Sequence, residues 1–150
     1  LLDVGLLSSA VFIAGAIGTY VVGHSSDRKM ERRWHLVGCG AVIALCFALL
    51  PLFAHSIPVA ITLLSIAAAA SYGGFVVFWT IPQTFLTRDT KASGIALITS
   101  LGGIGAFVSP TLVGWMKSST GSIYAGLAIL GAITLIGAIV MLIAIPARKH

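Results

Sequence analysis

Charge is the property that this sequence has least of. Its 150 residues include nine Lys and Arg and four Asp and Glu, so that 9% are charged and 58% are hydrophobic. An ordinary soluble domain has about 25% charged residues, and a soluble fold of this size has too much surface for so few charges. Long uncharged runs of about 20 residues are typical of transmembrane helices. The composition therefore excludes a soluble domain and predicts a membrane protein.

Cysteine and buried acids are also scarce, which argues against several kinds of chemistry. The two cysteines, Cys39 and Cys46, lie in one predicted helix about 10 Å apart, too far for a disulfide. No predicted span has an Asp, Glu, Lys or Arg in its middle. We therefore expect no metal, no cofactor and no enzymatic activity. The net charge of +5 would suggest a nucleic-acid partner in a soluble protein, but the bases are sorted by membrane side, and we expect none.

Five apolar runs predict an all-α membrane protein. A chain in lipid must satisfy its own backbone hydrogen bonds, which favours helices. No soluble domain interrupts the runs. The predicted spans are about 5–23, 36–54, 59–79, 92–116 and 123–145.

The distribution of Lys and Arg predicts the orientation of these spans. With five spans, the loops 24–35 and 87–91 and the C-terminus lie on one side of the membrane and carry eight of the nine bases. The opposite side has Lys117 alone. Because cytoplasmic loops carry the excess of bases, we predict that these three segments are cytoplasmic.

The segment 23–35, with the sequence G-H-S-S-D-R-K-M-E-R-R-W-H, holds nearly half of the charge of the chain. We expect Gly23 to end the first helix and Asp27 to follow that end, where its carboxylate can accept hydrogen bonds from Arg28 or Arg32 or from a neighbouring helix N-terminus. Together with Arg33, these residues could form ion pairs that break and re-form as helices shift. The alternative is a solvated basic loop that serves only topology, because exposed ion pairs contribute little.

The order of residues in this segment resembles the signature between helices eight and nine of the major facilitator superfamily. The ending E-R-R-W-H is similar to the version in its anion:cation symporter branch. Further resemblances are G-L-L-S at 5–8, F-W-T-I-P at 78–82, A-S-G-I-A-L-I at 92–98, V-S-P-T-L-V-G-W at 108–115 and T-G at 120–121. The resemblance covers essentially the whole chain.

This resemblance implies a major-facilitator-type C-terminal bundle, with the five spans as helices eight to twelve of a longer protein. We then expect the N-terminal half to be missing here. The implied activity is secondary transport of small organic anions, such as carboxylates and sugar acids, by alternating access and coupled to protons. The sequence departs from the family pattern at five positions: Met30 replaces its usual glycine, Val11 and Phe12 its proline and tyrosine, and Thr99 and Gly103 two asparagines.

Four residues at inward positions are the candidates for lining a substrate cavity: Tyr72, Thr99, Ser100 and Gly103. For Tyr72 and Thr99 the alternative is hydrogen bonding between helices. For Gly103 the alternative is close helix packing. A different hypothesis for the whole chain is a non-transporting membrane subunit or scaffold of five helices.

Overall fold

The computed structural model describes the backbone of residues 2–53 and 55–144 and the side chains from residue 5 onward within these ranges. This part of the chain contains six α-helices, one short 3₁₀ helix and no strand. The helices are α1 (Leu2–Lys29), α2 (Arg32–Leu49), α3 (Ile57–Thr80), α4 (Pro82–Phe85), α5 (Lys91–Thr120) and α6 (Ile123–Ala144), and the 3₁₀ helix, Leu50–Phe53, continues α2.

Five of these helical segments are long and apolar enough to cross a membrane, which confirms the predicted all-α architecture. Four of them extend beyond the predicted runs at one end or both, above all α1, which continues to Lys29, whereas α6 stays within its predicted run. The expectation that Gly23 ends the first helix is therefore wrong. Residues 24–29 include neither proline nor glycine, and Arg28 and Lys29 suit the negative end of the helix dipole.

Local sequence explains the other helix boundaries. Pro58 and Pro82 lie in the first turns of α3 and α4, where the missing N–H of proline has no helical partner to lose. Helix α5 is capped by the following residue, Gly121, which has a left-handed φ of 73° and donates its N–H to the carbonyl of Lys117 at 2.9 Å. Glycine adopts that conformation without steric cost.

The spanning helices pack in the order α1, α3, α2, α6 and α5. Helix α1 contacts α3 along its length but touches α2 little, and α5 contacts mainly α6. The buried cluster of Cys39, Ile43 and Ala70, with Val22 and Phe47 against it, lies where α2 meets its neighbours. Both cysteines are buried free thiols, as predicted.

Helix α5 differs from the rest because it has no buried residue. Thr99 and Gly103 were predicted at inward positions, and Gly102 lies on the same face of the helix. In the structure these three residues are exposed, as are the leucines on the opposite face, Leu97 and Leu101. Nothing lies within 4 Å of where a Cβ on either glycine would be.

Candidate functional site

The charged segment forms a tight reversal between α1 and α2 that consists of Met30 and Glu31. Met30 has a φ of 52°, the one positive φ at a non-glycine residue in the described part of the chain. Its N–H bonds to the carbonyl of Asp27 at 3.4 Å. A left-handed conformation costs an L-residue about 1–2 kcal/mol. Met30, which replaces the glycine of the pattern that the sequence resembles, therefore has a backbone conformation that favours glycine.

Two arginines at the start of α2 bind the ends of two other helices. Arg32 donates from Nη1 to the carbonyl of Thr80, the last residue of α3, at 3.0 Å. Arg33 donates from Nη2 to the carbonyl of Leu142 in the last turn of α6. The last carbonyls of a helix have no intrahelical partner, and the helix end carries partial negative charge. One short segment of α2 therefore caps both α3 and α6.

A histidine links the two sides of the reversal. His35 Nδ1 bonds to the carbonyl of Glu31, and His35 Nε2 lies 3.0 Å from the hydroxyl of Ser25 in α1. A carbonyl only accepts, so Nδ1 carries the proton and Nε2 accepts from the serine in the neutral ring. The sequence analysis did not identify this histidine as part of the site. The group that His35 Nδ1 binds is a backbone carbonyl, which has no residue-type signature, so the sequence carries no signal for this contact.

The predicted ion pairs are replaced by these bonds to carbonyls. Asp27 and Arg28 are exposed in the last turns of α1, and neither is paired in the part of the chain that the structure describes. Gly23 is half-buried and lies inside the helix, with Val76 of α3 at 3.7 Å from where its Cβ would be. Asp27 therefore does not follow a helix end as expected.

Ser26 is a feature of this site that sequence reasoning missed. It is 2% exposed, and its hydroxyl has no hydrogen-bond partner among the described residues. The Arg33 Nε is likewise buried without a partner. A buried unpaired polar group costs about 1–3 kcal/mol. The site therefore contains three carbonyls that accept side-chain hydrogen bonds, those of Thr80, Leu142 and Glu31. It also contains two buried donors without a described partner, the Ser26 hydroxyl and the Arg33 Nε.

The four predicted cavity residues are not brought together. Tyr72 lies on α3, about half exposed, with its ring over Gly15 of α1. Thr99, Ser100 and Gly103 lie exposed on α5, and Thr99 donates its hydroxyl to the carbonyl of Ile95 at 2.8 Å. Tyr72 on α3 and the three residues on α5 therefore lie on helices that form no extensive contact with each other. A cavity that includes both would need groups or helices beyond those described.

The donor set offers no metal site, because no group of three or more His, Cys, Asp or Glu side chains comes together among the residues described. The structure presents a set of membrane-spanning helices in which two arginines, Arg32 and Arg33, bind carbonyls at the ends of two neighbouring helices. That arrangement defines a polytopic membrane protein built for helix–helix contact at a membrane face.

Comparison with known proteins identifies the family. The model of the Major Facilitator Superfamily matches residues 1–150. The chain is 34% identical over 145 residues to the metabolite transport protein named NicT of Pseudomonas putida, covering 97% of this chain and 33% of that protein. It is 37% identical over 138 residues to a quinolone resistance transporter of Acinetobacter baumannii, covering 92% and 32%. It is 33% identical over 144 residues to a protein named as a tartrate transporter in Agrobacterium vitis, covering 95% and 33%.

The chain belongs to the major facilitator superfamily, as its sequence motifs predicted. It spans about a third of the length of these relatives. No solved structure matches it significantly. The names of the relatives, which include tartrate and nitrate transporters, fit the anion-transporting branch.

Proposed function

We propose that this chain is the C-terminal part of a secondary transporter that moves small organic anions across the membrane by alternating access, coupled to protons. Family membership over the whole chain supports transport. The tartrate transporter among the relatives supports an organic anion as substrate. Because the relatives are about three times as long, we propose that an N-terminal half completes the substrate site and carries the groups that couple transport to protons.

The observation that supports a conformational role for the segment 23–33 is that Arg32 and Arg33 cap two other helices, α3 and α6. These side chains hold the ends of α3 and α6 to the start of α2 at one membrane face. Alternating access requires groups of helices to rock around a midplane site. Bonds to carbonyls at a helix end can exchange for water there at modest cost. We propose that Gly23, Asp27, Arg28, Arg32 and Arg33 form a gate that stabilises one conformer.

Asp27 is unpaired in the described conformer, so its proposed role in this gate belongs to the opposite conformer. Its carboxylate is exposed beside Arg28 and close in sequence to the arginines of α2. In the opposite conformer, we propose, Arg32 leaves the carbonyl of Thr80 and pairs with Asp27. The acid would then stabilise one state and the carbonyl the other.

The test of the gate is the variant Asp27→Asn in the full-length transporter, with uptake and substrate binding measured separately. We expect the uptake rate to fall several-fold while the affinity changes less, because the side chain acts on the conformational equilibrium. Asp89→Asn, an exposed acid in another loop on the same side, is the matched control. Unchanged uptake by Asp27→Asn at equal expression would contradict the gate.

The test of the substrate class is uptake into proteoliposomes of tartrate, nitrate and a quinolone, with and without an inward proton gradient. We expect tartrate or a related carboxylate to accumulate, and faster with the gradient. Uptake of nitrate alone or of the quinolone alone would overturn the organic-anion proposal. No uptake of any compound by correctly folded full-length protein would favour the scaffold hypothesis.

We propose that Tyr72, Thr99, Ser100 and Gly103 line the substrate cavity of the complete transporter. In support, all four are exposed on the helices described and thus accessible to a substrate or to a further helix. Tyr72→Phe and Thr99→Val should then raise the KM of the transported anion. A change in protein stability with unchanged KM would instead indicate packing roles.

A further inference from the structure

A crevice of about 550 Å³ opens between α1 and α2, with α3 as its floor. It exists because α1 and α2 each pack on α3 and touch each other little. We call it the α1–α2 crevice, and its residues include Val21, Gly38, Val42, Ile66, Trp34 and His35. The proposed transport mechanism uses none of these residues.

The wall of this crevice is apolar and open to the surroundings of the helices. Val21 is 55% exposed and Ile66 46% exposed. Gly38 leaves part of the space empty, since nothing lies within 4 Å of where its Cβ would be. At the depth of the hydrocarbon, an open apolar groove of this kind is filled by something equally apolar, because water finds no partners there.

One end of the crevice lies at the reversal between α1 and α2, beside basic side chains. Trp34, which is 64% exposed, and His35 line that end, and tryptophan is typical of the membrane–water interface. On α1, Arg28 and Lys29 follow the lining residues Val21 and Val22 by seven positions, or about two helical turns, and so lie on the same face.

The charged side chains around this end are four bases and two acids, which give a net charge of +2. Arg28 and Lys29 are exposed, whereas the next two arginines of the chain are engaged with carbonyls. The two acids, Asp27 at the end of α1 and Glu31 in the reversal, are also exposed. The end of the crevice therefore combines net positive charge with a tryptophan beside an apolar groove.

We propose that the α1–α2 crevice binds an anionic phospholipid, with an acyl chain in the groove and the phosphate against Arg28 and Lys29. Apolar volume and basic charge are placed end to end, as a phospholipid places its chain and its headgroup. The end in question lies on the side that we predict to be cytoplasmic, where the leaflet is rich in anionic lipids. Basic pockets between transmembrane helices on that side suit such headgroups.

The experiment measures lipids retained by the purified full-length protein, by native mass spectrometry. The probes are phosphatidylglycerol and phosphatidylcholine with the same acyl chains. We expect the wild type to retain phosphatidylglycerol in preference to phosphatidylcholine. The double variant Arg28→Gln/Lys29→Gln should weaken phosphatidylglycerol binding about thirtyfold, because each base near the membrane surface contributes about 1 kcal/mol.

Matched controls separate the crevice from general effects. Arg88→Gln with Lys91→Gln removes two exposed bases from the other loop on the same side and should leave retention unchanged. Gly38→Leu fills the crevice and should displace the acyl chain. Gly137→Leu adds the same side chain at an open position on α6 and should not. Thermal unfolding of each variant verifies that it is folded.

Three results would overturn the proposal. The first is equal retention of the two lipids by the wild type. The second is an equal loss of retention in both double variants, which would indicate diffuse attraction to positive charge. The third is normal retention by folded Gly38→Leu, as expected if a protein helix, rather than a lipid, occupies the crevice.

Discussion

The α1–α3 pair and helix α5 are both rich in small residues, yet these residues have opposite surroundings. In the pair, a Cβ on Gly18 would overlap the carbonyl oxygen of Ala69, and one on Gly73 would lie 2.7 Å from Val22. On α5, a Cβ on Gly102 or Gly105 would meet nothing within 4 Å. Glycine in a transmembrane helix therefore indicates the capacity for close approach and does not by itself show that a neighbour is present.

The largest expected effect comes from adding one methyl group to each region. Gly18→Ala should destabilise the protein by about 3 kcal/mol, because the new Cβ meets backbone, which cannot rotate away. Gly105→Ala should instead stabilise α5 by about 0.5–1 kcal/mol through helix propensity. Thermal unfolding in detergent measures both changes. Equal destabilisation by the two variants would show that α5 is also closely packed in the protein. The difference between the glycines of the α1–α3 pair and those of α5 would then not hold.

The next largest effect concerns the side-chain hydrogen bonds at the ends of the packed helices. Arg32→Gln removes the charged donor to the carbonyl of Thr80 and should cost about 1.5–2 kcal/mol. Arg88→Gln, in the segment that leads to α5, should cost less than about 0.5 kcal/mol, because this side chain is exposed. Hydrogen exchange at the end of α3 should rise in the first variant only. Protection unchanged by Arg32→Gln would contradict the capping role.

The ends of α1 and α5 provide a comparison of two left-handed residues. Met30→Gly should stabilise the protein by about 1 kcal/mol, because it relieves the positive φ of 52°. Gly121→Ala should destabilise it by a similar amount, because it introduces that strain at a φ of 73°. Thermal unfolding of both variants tests this. Destabilisation by Met30→Gly would show that the side chain of Met30 contributes more than its backbone costs.

The smallest expected effect distinguishes two hydroxyls. Ser26→Ala should stabilise the described conformer by up to about 1 kcal/mol, because its buried hydroxyl has no described partner. Ser118→Ala on α5 should change stability by less than about 0.5 kcal/mol, because its hydroxyl is exposed and bonds to the carbonyl of Trp115. If Ser26→Ala destabilises the protein instead, a hydrogen-bond partner for Ser26 exists in the complete molecule.

The sequence predicted where along the chain the candidate site lies, but it did not predict which groups are in contact there. The density of charge at 23–35 located the reversal between α1 and α2, and the resemblance identified Met30 as a departure from glycine. The carbonyls of Thr80 and Leu142, which Arg32 and Arg33 bind, could not be predicted. Backbone acceptors have no residue-type signature, and these two lie far from the arginines along the chain.

The sequence by itself determined the class, the number of spans and the family of this protein. Hydrophobic length and the scarcity of charge depend only on composition and order, and the solvent properties of the bilayer convert them directly into helices. Only the tertiary structure decided which helices pack together, which glycines are covered and which acceptors the arginines bind. Those properties depend on distances between segments remote in sequence, and among uniformly apolar helices in lipid no hydrophobic pattern specifies which faces meet.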